Sequence, residues 1–272
     1  MSALTFVSRS LPPQRVDVSV LVPANLREKS RAQIRALPLY VGNRQVALGE
    51  LFDVKGGDIE RIVFEGGGDR LDRIGGELDT GSIVVRGPVG AYLGIGMRGG
   101  RIEVHGSCGA YAASGLRDGV VAISGDAGDF LGAPLPGDMQ GMRGGTVVVS
   151  GNSGARTGDR MRRGLILVRG NVGDYCGSRM IAGTIAALGE CGEWPGFCMK
   201  RGTLLLPRGR ADWPATFNDC GTHALPMLPL LVRSCRRLDP AFEALGELDG
   251  RVRRLMGDLA CGGMGEILSA AS

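Results

Sequence analysis

The sequence predicts a mainly β chain: a parallel β-helix of nineteen-residue coils between an N-terminal cap and a helical C-terminal cap. Three observations carry this prediction. A Gly-x-x-Gly-x-x-x-Gly motif recurs along the middle of the chain, and a short aliphatic run precedes each copy. Glycine is also abundant, at 47 of 272 residues, against the roughly 7% of an average protein. Glycine in regular structure costs roughly 0.5–1 kcal/mol relative to alanine. So many glycines are therefore expected where a side chain would clash or the backbone must turn left-handed.

Residues 1–60 do not repeat and read as a cap of mixed structure. Val16 to Leu21 alternates like a strand, Ala24 to Leu37 is charged and moderately helical, and Arg44 to Val54 reads as a strand or turn pair.

Residues 61–209 hold the repeat. Its leading glycines are Gly87, Gly106, Gly125, Gly151, Gly170 and Gly189, spaced by 19, 19, 26, 19 and 19 residues. One coil therefore carries seven extra residues, near Ala133 to Gln140. Before each leading glycine lies a run such as Ile83-Val84-Val85 or Val147-Val148-Val149, with aliphatic or alanine outer positions and a variable middle one. That alternation is a strand with two inward residues and a permissive outward one. A unit this small cannot bury its own apolar face, so the units must stack, with strands about 4.8 Å apart. Arg61–Gly66 and Thr203–Pro207 read as degenerate end copies. A methionine column (Met97, Met142, Met161, Met180, Met199, with Leu78 and Leu116 in register) reads as a core ladder of flexible side chains.

Residues 210–272 lose the periodicity. The apolar run Ala224 to Val232 is broken by Pro226 and Pro229. Asp239-Pro240 reads as a helix start, and Phe242, Leu245, Leu248, Val252, Leu255 and Leu259 as the apolar stripe of a helix ending near Gly262. This tail is expected to cover the open end of the stack, because an uncovered strand edge invites aggregation.

Composition narrows the function classes. A net charge of +4 is too small to argue for nucleic acid. No apolar run approaches the roughly 18–20 residues that span a membrane. Seven cysteines without a Cys-x-x-Cys read as reduced thiols in a cytoplasmic protein.

No catalytic or metal-ligating set emerges. The glycine motifs lack the Gly-x-x-x-x-Gly-Lys-[Ser/Thr] loop and its βαβ context, and a motif that occurs six times is architectural. His105 reads as a surface or corner residue rather than the base of a β-helix acyltransferase. His223, in Cys220-Gly221-Thr222-His223, lacks a second spaced pair of metal ligands. Cys191 and Cys198 show no metal spacing and read as small buried hydrophobes.

The feature that stands out is a basic column. Arg98, Arg117, Arg143, Arg162 and Lys200 each directly follow the methionine position, with Asp79 and Ile181 interrupting. Neighbours near 5 Å apart repel by roughly 0.8 kcal/mol even in bulk water. Asp118 and Asp159, a partner subunit or an anionic ligand are the candidate compensators. A plain solvated, spread-out face is the simpler reading of this column; as the sharper one, these five cations are the candidate partner-docking residues.

The Gly-x-x-Gly-x-x-x-Gly array, the nineteen-residue step and the flanking caps resemble the C subunits of formylmethanofuran dehydrogenase and of the bacterial formyltransferase/hydrolase complex. The same repeat occurs in the glutamate synthase large subunit. Phe217-Asn218-Asp219-Cys220-Gly221 and the tail are similar to those C subunits, though less specifically. The resemblance implies a right-handed β-helix and a non-catalytic scaffold. Its partners would be the hydrolase/dehydrogenase A and B subunits and the formyltransferase, or D, subunit. It implies a complex that uses a methanofuran-type carrier and tetrahydromethanopterin, with metal ions on the hydrolase subunit and no cofactor in this chain. The molybdenum or tungsten dehydrogenase is the alternative. A free-standing β-helix enzyme and a homo-oligomeric structural protein are the readings from other classes.

Overall fold

The backbone groups of a stacked repeat must find partners in the repeats above and below, because a nineteen-residue unit has none of its own. The computed structural model, which describes residues 2–210, 212–248 and 251–271, shows where they go.

The N-terminal cap holds β1 (Ala3–Ser8), β2 (Val16–Asp17), α1 (Pro23–Leu26), α2 (Arg31–Arg35), β3 (Pro38–Val41), β4 (Arg44–Ala47), α3 (Leu48–Leu51) and β5 (Phe52–Lys55). The strand expected over Val16 to Leu21 is only two residues long, and the helix expected over Ala24 to Leu37 is two short pieces. Ser30 starts the second piece with a capping box to Gln33. Strand β1 runs parallel to the first repeat strand and antiparallel to β5. Phe6, Phe52 and Phe64 pack edge and face there, which plugs one end of the core.

The repeat strands are β6 (Asp58–Glu65), then the short β7 (Leu71–Asp72), β8 (Ser82–Arg86), β9 (Arg101–Val104), β10 (Val120–Ile123), β11 (Arg143–Val149), β12 (Arg163–Val168), β13 (Thr184–Ala187) and β14 (Thr203–Leu205). From β6 to β14, leaving aside β7, each strand pairs in parallel with its counterpart in the next repeat, so Ile83, Ile102, Val121, Val147, Ile166 and Ile185 lie in register. These inward residues are at most 1% exposed. A second column of parallel bridges joins Val89, Cys108, Ala127, Ser153, Val172 and Cys191. Among the described residues the main sheet has thirteen strands of mixed direction, and β2, β3, β4 and β7 form a smaller one.

The glycines of the motif serve two different needs. A Cβ on Gly109 would stand 2.9 Å from the backbone of Gly90 and Ala91 in the preceding repeat, too close for any side chain. The third glycine instead takes a left-handed backbone, with φ +61° at Gly94, and Ala113 adopts the same conformation in its copy. The methionine column and its leucine stand-ins are fully buried.

The tail departs from expectation. It contains β15 (Asn218–Ala224), α4 (Leu228–Leu238), a 3₁₀ segment (Pro240–Leu248), β16 (Arg251–Gly257) and β17 (Gly265–Ala270). The helix expected from Pro240 to about Leu259 does not form: its first half is 3₁₀ and its second half is strand. Val252 and Leu255 are both buried, but in separate clusters on opposite sides of β16. An odd spacing in a strand places residues on opposite faces, so the helical period joined residues of two cores. Strand β17 pairs in parallel with β14 and antiparallel with β16, so the open end of the stack is covered by strands rather than by a helix. The true helix, α4, begins where Pro229 fits its first turn.

Helix α4 and the 3₁₀ segment lie on the outward face of the last repeats. There the "permissive" positions Leu167, Ala186 and Leu205 are 0% exposed and pack with Leu228, Phe242 and Leu245. Arg169 holds the buried Asp239 carboxylate with two hydrogen bonds, at 2.6 and 2.7 Å, at the junction. Cys198 and Cys261 form a disulfide between the last repeat and the tail, which corrects the expectation that all seven thiols are reduced. No helix among the described residues is long and apolar enough to cross a membrane.

Glycines of close approach and glycines of open space should respond differently to substitution. A methyl on Gly144 would overlap the Arg117 carbonyl oxygen, whereas one on Gly57 would meet nothing within 4 Å. Chemical denaturation is expected to show Gly144→Ala costing about 2–3 kcal/mol, as overpacking does, and Gly57→Ala changing stability by less than about 0.5 kcal/mol.

Candidate docking surface

The five predicted cations stand on one column. The N–H groups of Arg98, Arg117, Arg143, Arg162 and Lys200 donate to the carbonyls of Leu78, Met97, Leu116, Met142 and Met180 in the preceding repeats, at 2.7–2.8 Å. Each methionine or leucine points into the core, so the residue after it must face out, and all five cations are exposed. Ile181 interrupts the column at 38% exposure.

The compensation differs from expectation. Arg98 pairs with Glu77 at 3.2 Å, and the Lys200 ammonium donates to the Cys261 carbonyl. Asp159 does not serve the column: it is 4% exposed and accepts from Arg179 and Ser178 at 2.7 Å. Asp118 accepts from the neighbouring Gly119 N–H. Among the described residues, Arg117, Arg143 and Arg162 have no carboxylate within 4 Å, although they lie on successive repeats. Arg163 pairs with Arg143 in the strand register and adds to the same charge.

A second column was missed from sequence. Five residues after each leading glycine stand Tyr92, Tyr111, Phe130, Arg156, Tyr175 and Trp194, with Arg73 in the same register one repeat earlier. Tyr92 stacks on Tyr111 at 5.6 Å, and Tyr111 on Phe130 at 4.6 Å with nearly parallel rings. Arg73 lies over Tyr92, and Arg156 over Tyr175. All seven residues hold left-handed backbones, with φ between +56° and +63°. That conformation is costly for bulky side chains, roughly 1–3 kcal/mol each. It is held by hydrogen bonds to the next repeat, such as Tyr111 N–H to Asp129 C=O at 2.9 Å. The signal was available: aligning the copies on their leading glycines puts an aromatic residue or arginine at this offset every time.

The two columns share one side of the stack. A concave patch at the first repeats brings Arg73 of the aromatic column together with Glu77, Asp79 and Arg98 of the basic one. Exposed arginine, tryptophan and methionine beside half-buried tyrosine is the composition of protein–protein contact surfaces.

The remaining chemistry is sparse. His105 is exposed beside Glu103 at 3.1 Å on the outward sheet face. The ring Nε2 of His223 lies 2.8 Å from the Cys220 carbonyl oxygen. Burial pushes the Cys108 thiol up to about 12 and the Cys235 thiol up to about 11. The Cys176 thiol is also raised, first by its hydrogen bond with Cys191 and then by burial. These thiols keep their protons at neutral pH and cannot act as nucleophiles. Cys198, Asp258 and Cys261 come within 4.8 Å of one another. Both sulfurs are engaged in the disulfide, and Asp258 accepts from the N–H groups of Cys198 and Ala260, each at 3.0 Å.

No family model matches the chain. The C subunit of the formyltransferase/hydrolase complex Fhc of Methylorubrum extorquens is 42% identical over 81 residues, which is 30% of this chain and 31% of that protein. The C subunit of the tungsten-containing formylmethanofuran dehydrogenase 2 of Methanothermobacter marburgensis is 33% identical over 101 residues, covering 35% of this chain and 37% of that one. The aligned stretch thus spans about a third of each of these two curated relatives. A chain in the crystal structure of the FhcABCD formyltransferase/hydrolase complex from Methylorubrum extorquens with methylofuran superposes with a TM-score of 0.92 at 39% identity. It covers 98% of this chain and 100% of that one.

An unpaired cation row should strain the isolated chain. Arg143→Gln is expected to raise the unfolding free energy by about 0.5 kcal/mol at low salt, and the gain should vanish at roughly 0.5 M salt. Denaturant melts at both ionic strengths check this; a loss of stability at low salt would show that Arg143 has a compensating partner.

Proposed function

Because the chain belongs to the family of the C subunits of the formyltransferase/hydrolase complex, we propose that it is the non-catalytic scaffold of a multisubunit one-carbon complex. That complex converts formyl-tetrahydromethanopterin to formate by way of formylmethanofuran. Its partners are the hydrolase subunit, which carries the metal ions, a second subunit of the dehydrogenase type, and a formyltransferase. The carrier is of the methanofuran type, and this chain holds no cofactor.

One observation carries the reading: the end-to-end likeness to a chain of a four-subunit complex solved with methylofuran. The exposed arginine column supplies the docking surface, with Arg98, Arg117, Arg143, Arg162 and Lys200 facing an acidic partner. We read the stack as a right-handed parallel β-helix, spanning residues 61–209 between caps 1–60 and 210–272. Two columns of parallel pairing, each one repeat apart, support that reading. A cytoplasmic location belongs to the same proposal. The five unpaired cysteines support it, with the Cys198–Cys261 bond as the exception.

The tungsten dehydrogenase subunit is the second reading, favoured only by the more distant relatives. The test is recovery of the tagged chain from its native cells at low and high salt, with elemental analysis of what comes with it. A hydrolase and a formyltransferase without tungsten or molybdenum are expected. The Arg143→Glu/Arg162→Glu variant should retain roughly a tenth or less of the partners, salt-dependently. Tungsten or molybdenum in the complex would shift the assignment to the dehydrogenase, and a chain recovered alone would overturn the scaffold reading. Unchanged partner recovery by the variant would remove the arginine column from the interface.

A further inference from the structure

We propose that the seven-residue insertion is a docking element that seats a segment of a partner subunit, one carrying an apolar side chain flanked by carboxylates. The proposal rests on the scaffold reading and names one place where it acts.

The structure locates the insertion to the residue. In an ordinary repeat Met97 N–H donates to Gly94 C=O and Gly96 N–H donates to Ser114 C=O. Met142 N–H donates likewise to Gly132 C=O at 2.7 Å, and Ala133 N–H to Phe130 C=O as Ile95 N–H does to Tyr92 C=O. Gly141 N–H reaches Arg160 C=O at 3.1 Å, one residue past Asp159, the counterpart of Ser114. Gly132, Ala133, Gly141 and Met142 therefore occupy the places of Gly94, Ile95, Gly96 and Met97. The extra residues are Pro134 to Gln140, extruded from a corner that keeps its turn bonds and shifts its bond to the next repeat by one residue. The stack does not need them.

The loop is built to keep a shape. Two of its seven residues are proline, Pro134 is buried, and Asp138 N–H closes a turn onto Leu135 C=O at 2.9 Å. A pre-shaped protrusion loses little entropy on binding. Its tip presents Met139 at 70% exposure, in contact with the Arg160 guanidinium at 3.1 Å.

Between this loop and the stack lies a cavity of about 300 Å³, walled by Tyr111 and Phe130 on one side and Leu135 and Met139 on the other. At its base Asp159 is neutralised by Arg179. Arg160 of the next repeat lines the cavity together with Asp138 of the loop, and Arg156 follows Phe130 in the aromatic column. Among the described residues neither Arg156 nor Arg160 has a carboxylate within 4 Å. An apolar recess edged by the Arg160 guanidinium fits an aliphatic or aromatic side chain that carries carboxylates beside it.

Excision of Pro134–Gln140, joining Ala133 to Gly141, restores the ordinary step and removes the loop. The excised chain, Arg160→Glu and a chain with a benzophenone amino acid at position 139 are each titrated with the remaining subunits purified from the native host. Excision and Arg160→Glu are each expected to weaken binding at least roughly tenfold, the latter less so as salt rises. The probe at 139 is expected to cross-link to a partner subunit. Binding by the folded excised chain within about twofold of the unaltered one, or cross-linking of position 139 only to a second copy of this chain, overturns the proposal. Should the excised chain melt early, Arg160→Glu and the cross-link decide it on the same terms. If the unaltered chain itself binds no partner, the scaffold reading fails as well, which separates the two failures.

Discussion

The structure depends on how closely the backbone of one repeat approaches the backbone of the next. Strand spacing near 4.8 Å is set by the hydrogen bond, and at the corners it leaves no room for a Cβ. Gly106, Gly109 and Gly144 would each drive a methyl into the preceding repeat. The high glycine content is therefore a packing requirement. With that approach in place, every other position is copied upward in register. Inward aliphatic residues become continuous ladders, methionines fill one corner, and any outward residue type that recurs becomes a stripe.

Stripes are how such a stack acquires sides. The strand side is partly closed by the chain's own tail, which buries Leu167, Ala186 and Leu205 and ties Asp239 to Arg169. The side with the methionine corners carries the arginine column and the stacked Tyr92, Tyr111 and Phe130. The two sides are chemically unlike: the tail covers much of the first, whereas on the second the cap reaches only the first repeats and the tail only the Lys200 end. A scaffold of this kind needs no catalytic residue. It needs a rigid axis, closed ends and a surface that one class of partner recognises.

The repeat region was legible because its constraint is local: a missing side chain at a fixed interval can be read without knowing what the chain pairs with. Inward positions, the methionine ladder and the basic column followed from the same interval. The tail was not legible because its constraint is distant. Val252 and Leu255 imitate a helical stripe, and only the open edge of β14 decides that β17 joins it and carries β16 alongside. Asp159 was misassigned for a related reason. Its neighbour in sequence is Arg160, but its partner is Arg179, one repeat further on. The aromatic column was present in the sequence and was overlooked. Its residues are strained and unlike one another, so no single residue type marks them.

The central claim is that this chain works by presenting one side to partner subunits. Hydroxyl-radical footprinting of the chain, free and within the complex recovered from native cells, tests it most directly. The account predicts strong protection of Tyr92, Tyr111, Phe130, Met139 and Trp194 in the complex, with His105 and Val84 on the strand side unchanged. Protection of His105 and Val84 with the aromatic column still reactive would contradict it.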